Sequence, residues 1–281
     1  MSALLRNSSA SAPSLTWGCG VDKTNCKELP APPRGYFSQQ KEDLGLVGNV
    51  FCDTCMHQRT YLEIGALDGF KYSNTLYLEK FFNWGGLLIE GHPHNAQNLF
   101  ANRGKSGRNV IFNEAICRTP GTVNFTNNPG SGTAGVMETM DAEYMKKWSK
   151  RFRHGFVTVP CRPLSDLVRL AGIQEIDFFS LDVEGAELLV LQTFDWSVPV
   201  KMFCIELDRE PDYVAQVHAL LDAHGYTQTT GFASTGLGKP PNTVFIHKSL
   251  NRTLSSRMQH CQLPANQRPC GHAQEKRRLG T

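Results

Sequence analysis

The chain has 281 residues, 40% of them hydrophobic and 20% charged, with 29 Lys and Arg against 26 Asp and Glu for a net charge of +3. This supplies a full apolar core and excludes collagen-like, wholly disordered and disulfide-knot classes. No apolar run reaches the ~18 residues that a membrane-spanning helix needs, and so small a net charge gives no argument for nucleic acid.

Residues 1–58 read as an irregular extension, with LPAPPRG at 29–35 and no sustained periodicity. The start is rich in Ser and Ala, has Arg6 and no acid before Asp22, and weakly resembles an organelle transit segment or a plain leader. Cys52 and Cys55, with Cys19 and Cys26 upstream, are compatible with a four-thiolate zinc site, although only one pair has ligand spacing. Cys261 and Cys270 can pair with each other or with that group. Cys117, Cys161 and Cys204 lie in apolar runs and are expected to be small buried hydrophobes. Acceptor sequons stand at Asn7, Asn124 and Asn251. These features point to different compartments; the leaning is cytoplasmic, with organelle and secretory routes open.

From Thr60 short apolar runs alternate with helical stretches, which predicts βαβ units. Strands are expected at 61–65, 86–90, 109–116, 176–182, 202–207, 226–231 and 243–247. Helices are expected at 73–82, 94–102, 164–170, 185–194 and 213–224. The glycine-rich stretch 127–135 reads as a loop. Beyond it, Tyr144, Trp148 and Phe152 recur every fourth residue and Lys146, Lys147, Lys150, Arg151 and Arg153 cover the other side. That pattern predicts an amphipathic helix over 141–155, either a solvated basic face or a cationic lid over an anionic substrate. The last 35 residues hold seven basic residues and one acid, Glu275. The expected organisation is therefore an extension (1–58), an α/β body (59–248) and a basic tail (249–281).

In such a sheet, ligands sit outside the carboxyl ends of the strands, and in this chain those ends carry acids. Glu63 precedes Gly65 and Gly69, whose spacing is not the G-x-G-x-x-G of dinucleotide enzymes. An acid there repels a pyrophosphate and attracts a cation, which favours S-adenosylmethionine, with its sulfonium and ammonium, over NAD. The donor's own carboxylate is expected against free N–H groups near Ser73, Asn74 and Thr75. Glu90 ends the second strand, where a carboxylate can accept both ribose hydroxyls. Asp182 ends the fourth strand of the domain, with Glu184 and Glu187 expected on the first turn of the next helix.

YLEIGALDGFKYSNTLYLEKFFNWGGLLIEGHP, followed by IDFFSLDVEGAELLVLQTF, resembles the FkbM-type family of S-adenosylmethionine-dependent methyltransferases over residues 58–248. The resemblance implies a Rossmann-like class I methyltransferase fold: a mostly parallel seven-stranded sheet, helices on both faces and an antiparallel edge hairpin. It implies methyl transfer to a hydroxyl of a small molecule or glycan, since characterised members methylate oxygen. Glu63, Gly65 and Gly69 would line the methionine part, with Asp68 and Asn74 as further cofactor-binding candidates. Glu90 would hold the ribose, and Asn113 and Glu114 the adenine edge. Asp182 and Glu184 would face the transfer site, Asp182 also touching the cofactor. Leu67, the Gly91-His92-Pro93 turn and Ser180 depart from the family pattern.

Candidate bases are His92, His94, Asp182, Glu184 and Glu206, with Asp182 and Glu184 preferred. A divalent cation on Asp182, Glu206 and Asp208 is chemically feasible, but those residues are not diagnostic and no metal is assigned. Neither a specific nucleic acid nor a membrane span is expected as partner. The alternative from another class is a non-catalytic interaction or trafficking module on the same fold.

Overall fold

The computed structural model describes residues 37–46, 50, 59–140, 142–147, 155–229 and 242–250. Two β-sheets are present among them. The large one is built from β1 (Thr60–Ile64), β2 (Gly85–Ile89), β3 (Asn109–Phe112), β7 (Ile176–Leu181), β8 (Val200–Glu206), β9 (Tyr226–Thr229) and β10 (Asn242–His247). Their spatial order is β3-β2-β1-β7-β8-β10-β9. All neighbours are parallel up to β8, and β10 runs antiparallel to both β8 and β9. Strand order reverses between β1 and β7, so a crevice opens above those two strands.

Alternation along each strand sends side chains to two cores. Tyr61, Leu88, Phe178, Met202 and Val244 meet Leu78 and Phe82 of α2 (Leu76–Phe82) and Leu99 of α3 (Pro93–Arg103). Leu62, Leu87, Phe179, Phe203 and Phe245 meet α5 (Leu164–Leu170), α6 (Glu187–Gln192) and α7 (Pro211–Ala223). Every residue of β7 is buried, as expected of a central strand covered on both faces. The expected α/β class, the helices on both faces and the antiparallel edge are all observed.

A three-stranded sheet, absent from the sequence reading, stands beside the large one: β4 (Ala115–Ile116), β5 (Gly121–Thr126) and β6 (Phe156–Arg162), in the order β4-β6-β5. The expected strand 109–116 is therefore two strands in two sheets. Its break is at Asn113, whose amide donates to the Glu90 and Gly91 carbonyls at 2.9 and 3.0 Å and turns the chain away. Cys117 and Cys161 are not separate buried thiols but a disulfide linking the end of β4 to β6. Cys204 is a free buried thiol, as expected.

The helix expected over 141–155 is α4 (Ala142–Lys147). It does not reach 155, because Gly155 has φ 70° and β6 starts at Phe156; Trp148 and Phe152 lie outside the described residues. So do Cys19, Cys26, Cys52, Cys55, Cys261, Cys270, Asn7, Asn251 and the basic tail from residue 251 onward. A short helix, α1 (Glu42–Gly45), brings part of the N-terminal segment onto the body. Among the described residues no helix is long and apolar enough to cross a membrane.

Candidate active site

A cavity of about 620 Å³ lies above the carboxyl ends of β1, β2, β7 and β8, a volume ordinary for a cofactor site. Six carboxylates line it: Glu42, Glu63, Glu90, Asp182, Glu184 and Glu206. Among the described residues of the lining Lys71 is the one cation.

Glu63 reaches the cavity but is largely occupied. Its carboxylate accepts from the Ser73 hydroxyl at 3.0 Å, the Asn74 N–H at 2.8 Å and the Thr75 hydroxyl. The Arg103 guanidinium lies 4.0 Å away, fully buried and also paired with Glu79. Burial raises the Glu63 pKa against the opposing pull of Arg103. The N–H groups expected to be free near residue 73 are taken: Asn74 donates to Glu63, and Thr75 and Leu76 donate to Ser73 Oγ. Asn74 is in the lining, with its amide donating to Ser180 Oγ at 2.9 Å.

Gly65 has φ 82°, and a Cβ there would stand 1.8 Å from the Asp182 carbonyl oxygen. Only glycine lets β1 turn this close to β7. Gly69 and Asp68 serve the turn rather than the lining. Gly69 lies under Leu99 and Arg103, and Asp68 Oδ1 accepts from the Phe70 and Lys71 N–H groups at 2.9 and 2.7 Å.

Glu90 is buried and its two oxygens accept the N–H groups of Leu67 and His92, each at 2.8 Å. Burial pushes its pKa up to about 7. Beyond it an apolar cleft of about 40 Å³ runs between Glu114, Phe125, Ala134 and Val183. Glu114 faces that cleft while paired with Arg162, whereas Asn113 is committed to the backbone as described above. His92 caps α3 and has its pKa lowered by burial. His94 is exposed on the same helix.

At the other end, one ligand oxygen from each of Asp182, Glu184 and Glu206 lies within 4.8 Å of the others. Asp182 bonds Glu206, yet its Oδ1 is out of contact with solvent and has no hydrogen-bond partner. Burial first, then the Glu206 charge, raises the Asp182 pKa well above the ordinary carboxylate range. Glu184 is raised to about 7 by the same two causes, in spite of Arg209 at 3.2 Å and the Tyr144 hydroxyl. Asp208 does not join this group; it pairs with Lys147 at the surface, 3.5 Å apart.

Glu184, expected on the first turn of the helix, lies instead in the turn before α6, at φ 56°. Leu67 and Tyr72, also in the lining, have φ 49° and 63°. Three non-glycine residues in the left-handed region around one cavity mark a site that the surrounding fold holds under strain. Glu187, the first residue of α6, accepts from the Gly185 N–H at 3.1 Å and the Tyr213 hydroxyl at 3.0 Å. Glu42, Gln39 and Gln40 belong to the lining as well and were not expected there. Glu42 arrives from the N-terminal segment and accepts from the Gln40 N–H and the Asn242 amide. No local pattern marks it.

The methyltransferase FkbM domain model matches residues 63–227, from Glu63 at the end of β1 into β9. The chain belongs to the FkbM methyltransferase family. Its class I architecture and the acid-ended strands β1, β2, β7 and β8 are the parts of this FkbM domain that surround the cavity. Among solved structures, the chain is similar to methyltransferase FkbM from Methylobacillus flagellatus KT (13% identity, 68% of this chain and 44% of that one, TM-score 0.42). It is also similar to the fibrillarin pre-rRNA processing protein of Methanococcus jannaschii (12%, 69% and 68%, TM-score 0.32) and to precorrin-6y C5,15-methyltransferase from Geobacter metallireducens GS-15 (11%, 78% and 92%, TM-score 0.34). The match thus spans under half of the Methylobacillus protein's length. No curated protein matches the sequence.

Proposed function

We propose that this FkbM domain transfers a methyl group from S-adenosylmethionine to a neutral hydroxyl of a small molecule or glycan. The observation that carries this reading is the convergence of Glu63, Glu90, Asp182, Glu184 and Glu206 on one cavity that has a single lysine in its lining among the described residues. Such a lining suits a donor bearing two positive charges and disfavours an anionic acceptor. The basic face of α4 gives no opposing argument, since Lys147 is paired with Asp208.

The residues fit the donor. Glu90 offers its remaining lone pairs to the ribose hydroxyls. The apolar residues beside Glu114 adjoin Glu90 on the side where an adenine ring would follow the ribose. Gly65 gives the close backbone approach next to Glu63 and Asn74, and the unpartnered Asp182 Oδ1 faces a need for a positive neighbour. S-adenosylmethionine supplies an already activated methyl on a sulfonium, so the protein's task is alignment and removal of the acceptor proton. Asp182 takes that proton, since burial and the Glu206 charge raise its pKa and with it its basicity. Glu184, fixed by Arg209 and Tyr144, orients the acceptor hydroxyl.

Thermal unfolding with S-adenosylhomocysteine tests the donor. At a hundredfold excess over Kd, binding stabilises by about 2.7 kcal/mol. Absence of any shift would favour the non-catalytic module. An untargeted acceptor screen with labelled methyl donor then tests transfer to oxygen.

A further inference from the structure

Residues 128–134 form one wall of the cavity. At its tip, a Cβ on Gly130 or Gly132 would meet nothing within 4 Å, so the tip is open on that side. Polar side chains from outside the loop tie it to the body. His92 Nδ1 accepts the His94 N–H at 3.2 Å, which leaves the ring proton on Nε2, 3.3 Å from Asn127 Oδ1. The Tyr144 hydroxyl lies 3.4 Å from the Thr133 carbonyl oxygen. The shortest of the three contacts is from Asn95, on α3, whose Oδ1 accepts the Gly130 N–H at 2.8 Å.

Asn95 is only 1% exposed, and its side chain has two neighbours to serve, because it also lies against the Glu90 carboxylate and lowers its pKa. A primary amide is suited to this place. Its NH2 is able to donate to an acid while its oxygen accepts from the loop. A charged acceptor on one side strengthens that bond and polarises the amide, which strengthens the bond on the other.

We infer that Asn95 is a positioning residue that couples the 127–134 wall to the ribose acid Glu90, so that donor binding at Glu90 and seating of this wall over the cavity favour each other. The inference rests on the donor reading proposed above. Ribose hydroxyls on Glu90 would fix its carboxylate, the carboxylate would fix the Asn95 amide, and the amide would hold Gly130. By reciprocity, loosening the wall weakens the donor.

The test compares the wild-type protein with Asn95→Leu and Asn95→Asp. Hydrogen–deuterium exchange over 127–135 and calorimetric affinity for S-adenosylhomocysteine are both measured at pH 6 and pH 8. In the wild type the ligand is expected to slow exchange of the 127–135 segment. In Asn95→Leu that slowing disappears and Kd rises about tenfold. Asn95→Asp keeps an acceptor for Gly130 but sets a second carboxylate against Glu90. Its affinity deficit is expected to be larger at pH 8 than at pH 6, where a shared proton restores the bond.

Wild-type affinity and wild-type protection in both variants would overturn the inference. A deficit in Asn95→Asp that ignores pH would overturn it too, since a purely structural role predicts that result. If Asn95→Leu does not fold, the near-isosteric Asp variant carries the decision. Failure of the wild-type protein to bind the ligand removes the donor reading and the inference with it, whereas binding without protection of the wall removes the inference alone.

Discussion

Strand β7 carries an aspartate at each end, and the two have opposite surroundings. Asp177, at the start, is buried between Arg59 at 2.8 Å and Lys201 at 2.6 Å, and it also accepts the Thr60 N–H. Asp182, just beyond the other end, faces Glu206 and Glu184 and keeps one oxygen without a partner. The first arrangement is complete in the folded chain. The second is left incomplete, with negative charge in excess and strained backbone beside it, which is the condition of a place meant to be completed by something cationic.

The largest expected effect separates the two ends. Asp182→Asn should cut turnover about 10²–10⁴-fold, the range for loss of a general base, while ligand-free thermal stability holds or rises because a repelling charge is gone. A loss of stability with turnover intact would break the contrast. Asp177→Asn should do the reverse. It takes the shared buried charge away from Arg59 and Lys201, of which Lys201 keeps Glu175, with an expected cost of about 3 kcal/mol in denaturant unfolding, and it leaves the turnover of the folded fraction unchanged.

Glu90→Gln comes next. It keeps the shape but not the charge-assisted acceptor, and should raise the Kd for S-adenosylhomocysteine about tenfold in calorimetry, with a smaller change in turnover at saturating donor. The smallest effect is on pH. Glu90 and Glu184 have pKa values raised from 4.5 to about 7 in the folded chain. The folded state therefore holds protons that the unfolded state has released, and their stabilising contribution, full below 4.5, is lost as pH rises to about 7. Thermal unfolding of the ligand-free protein should show this decline, and Glu184→Gln should make it shallower. An unchanged slope in that variant would remove Glu184 from the set of raised acids.

Most of the large sheet was legible because its strands are buried on both faces. Runs such as IDFFSL and MFCIE are continuous and apolar, and acids mark their ends. The small sheet was not. β5, GTVNFT, is short and half polar, and β6, FVTVPCR, contains Pro160 and follows a stretch whose aromatic spacing reads as helical. Of the expected site residues, Glu63, Gly65, Asn74, Glu90, Asp182 and Glu184 meet at the cavity, because all but Asn74, which stands just before α2, lie at or near a strand end that topology gathers. Glu42 and Asn242 meet there across 200 residues, a separation that no local spacing signals. The Cys117–Cys161 pairing was equally hidden among nine cysteines.

That pairing closes a ring. Its two sulfurs are 44 residues apart, and the enclosed stretch contains β5, the glycine-rich wall and α4. Opening a loop of this length frees the unfolded chain by about 4 kcal/mol in the chain-entropy account. The excursion that overhangs the carboxylates is thus fastened covalently at its root. A dithiol in a buffer would act on this hoop while leaving every acid untouched, and activity measured with and without reductant would then differ for a reason located outside the chemistry.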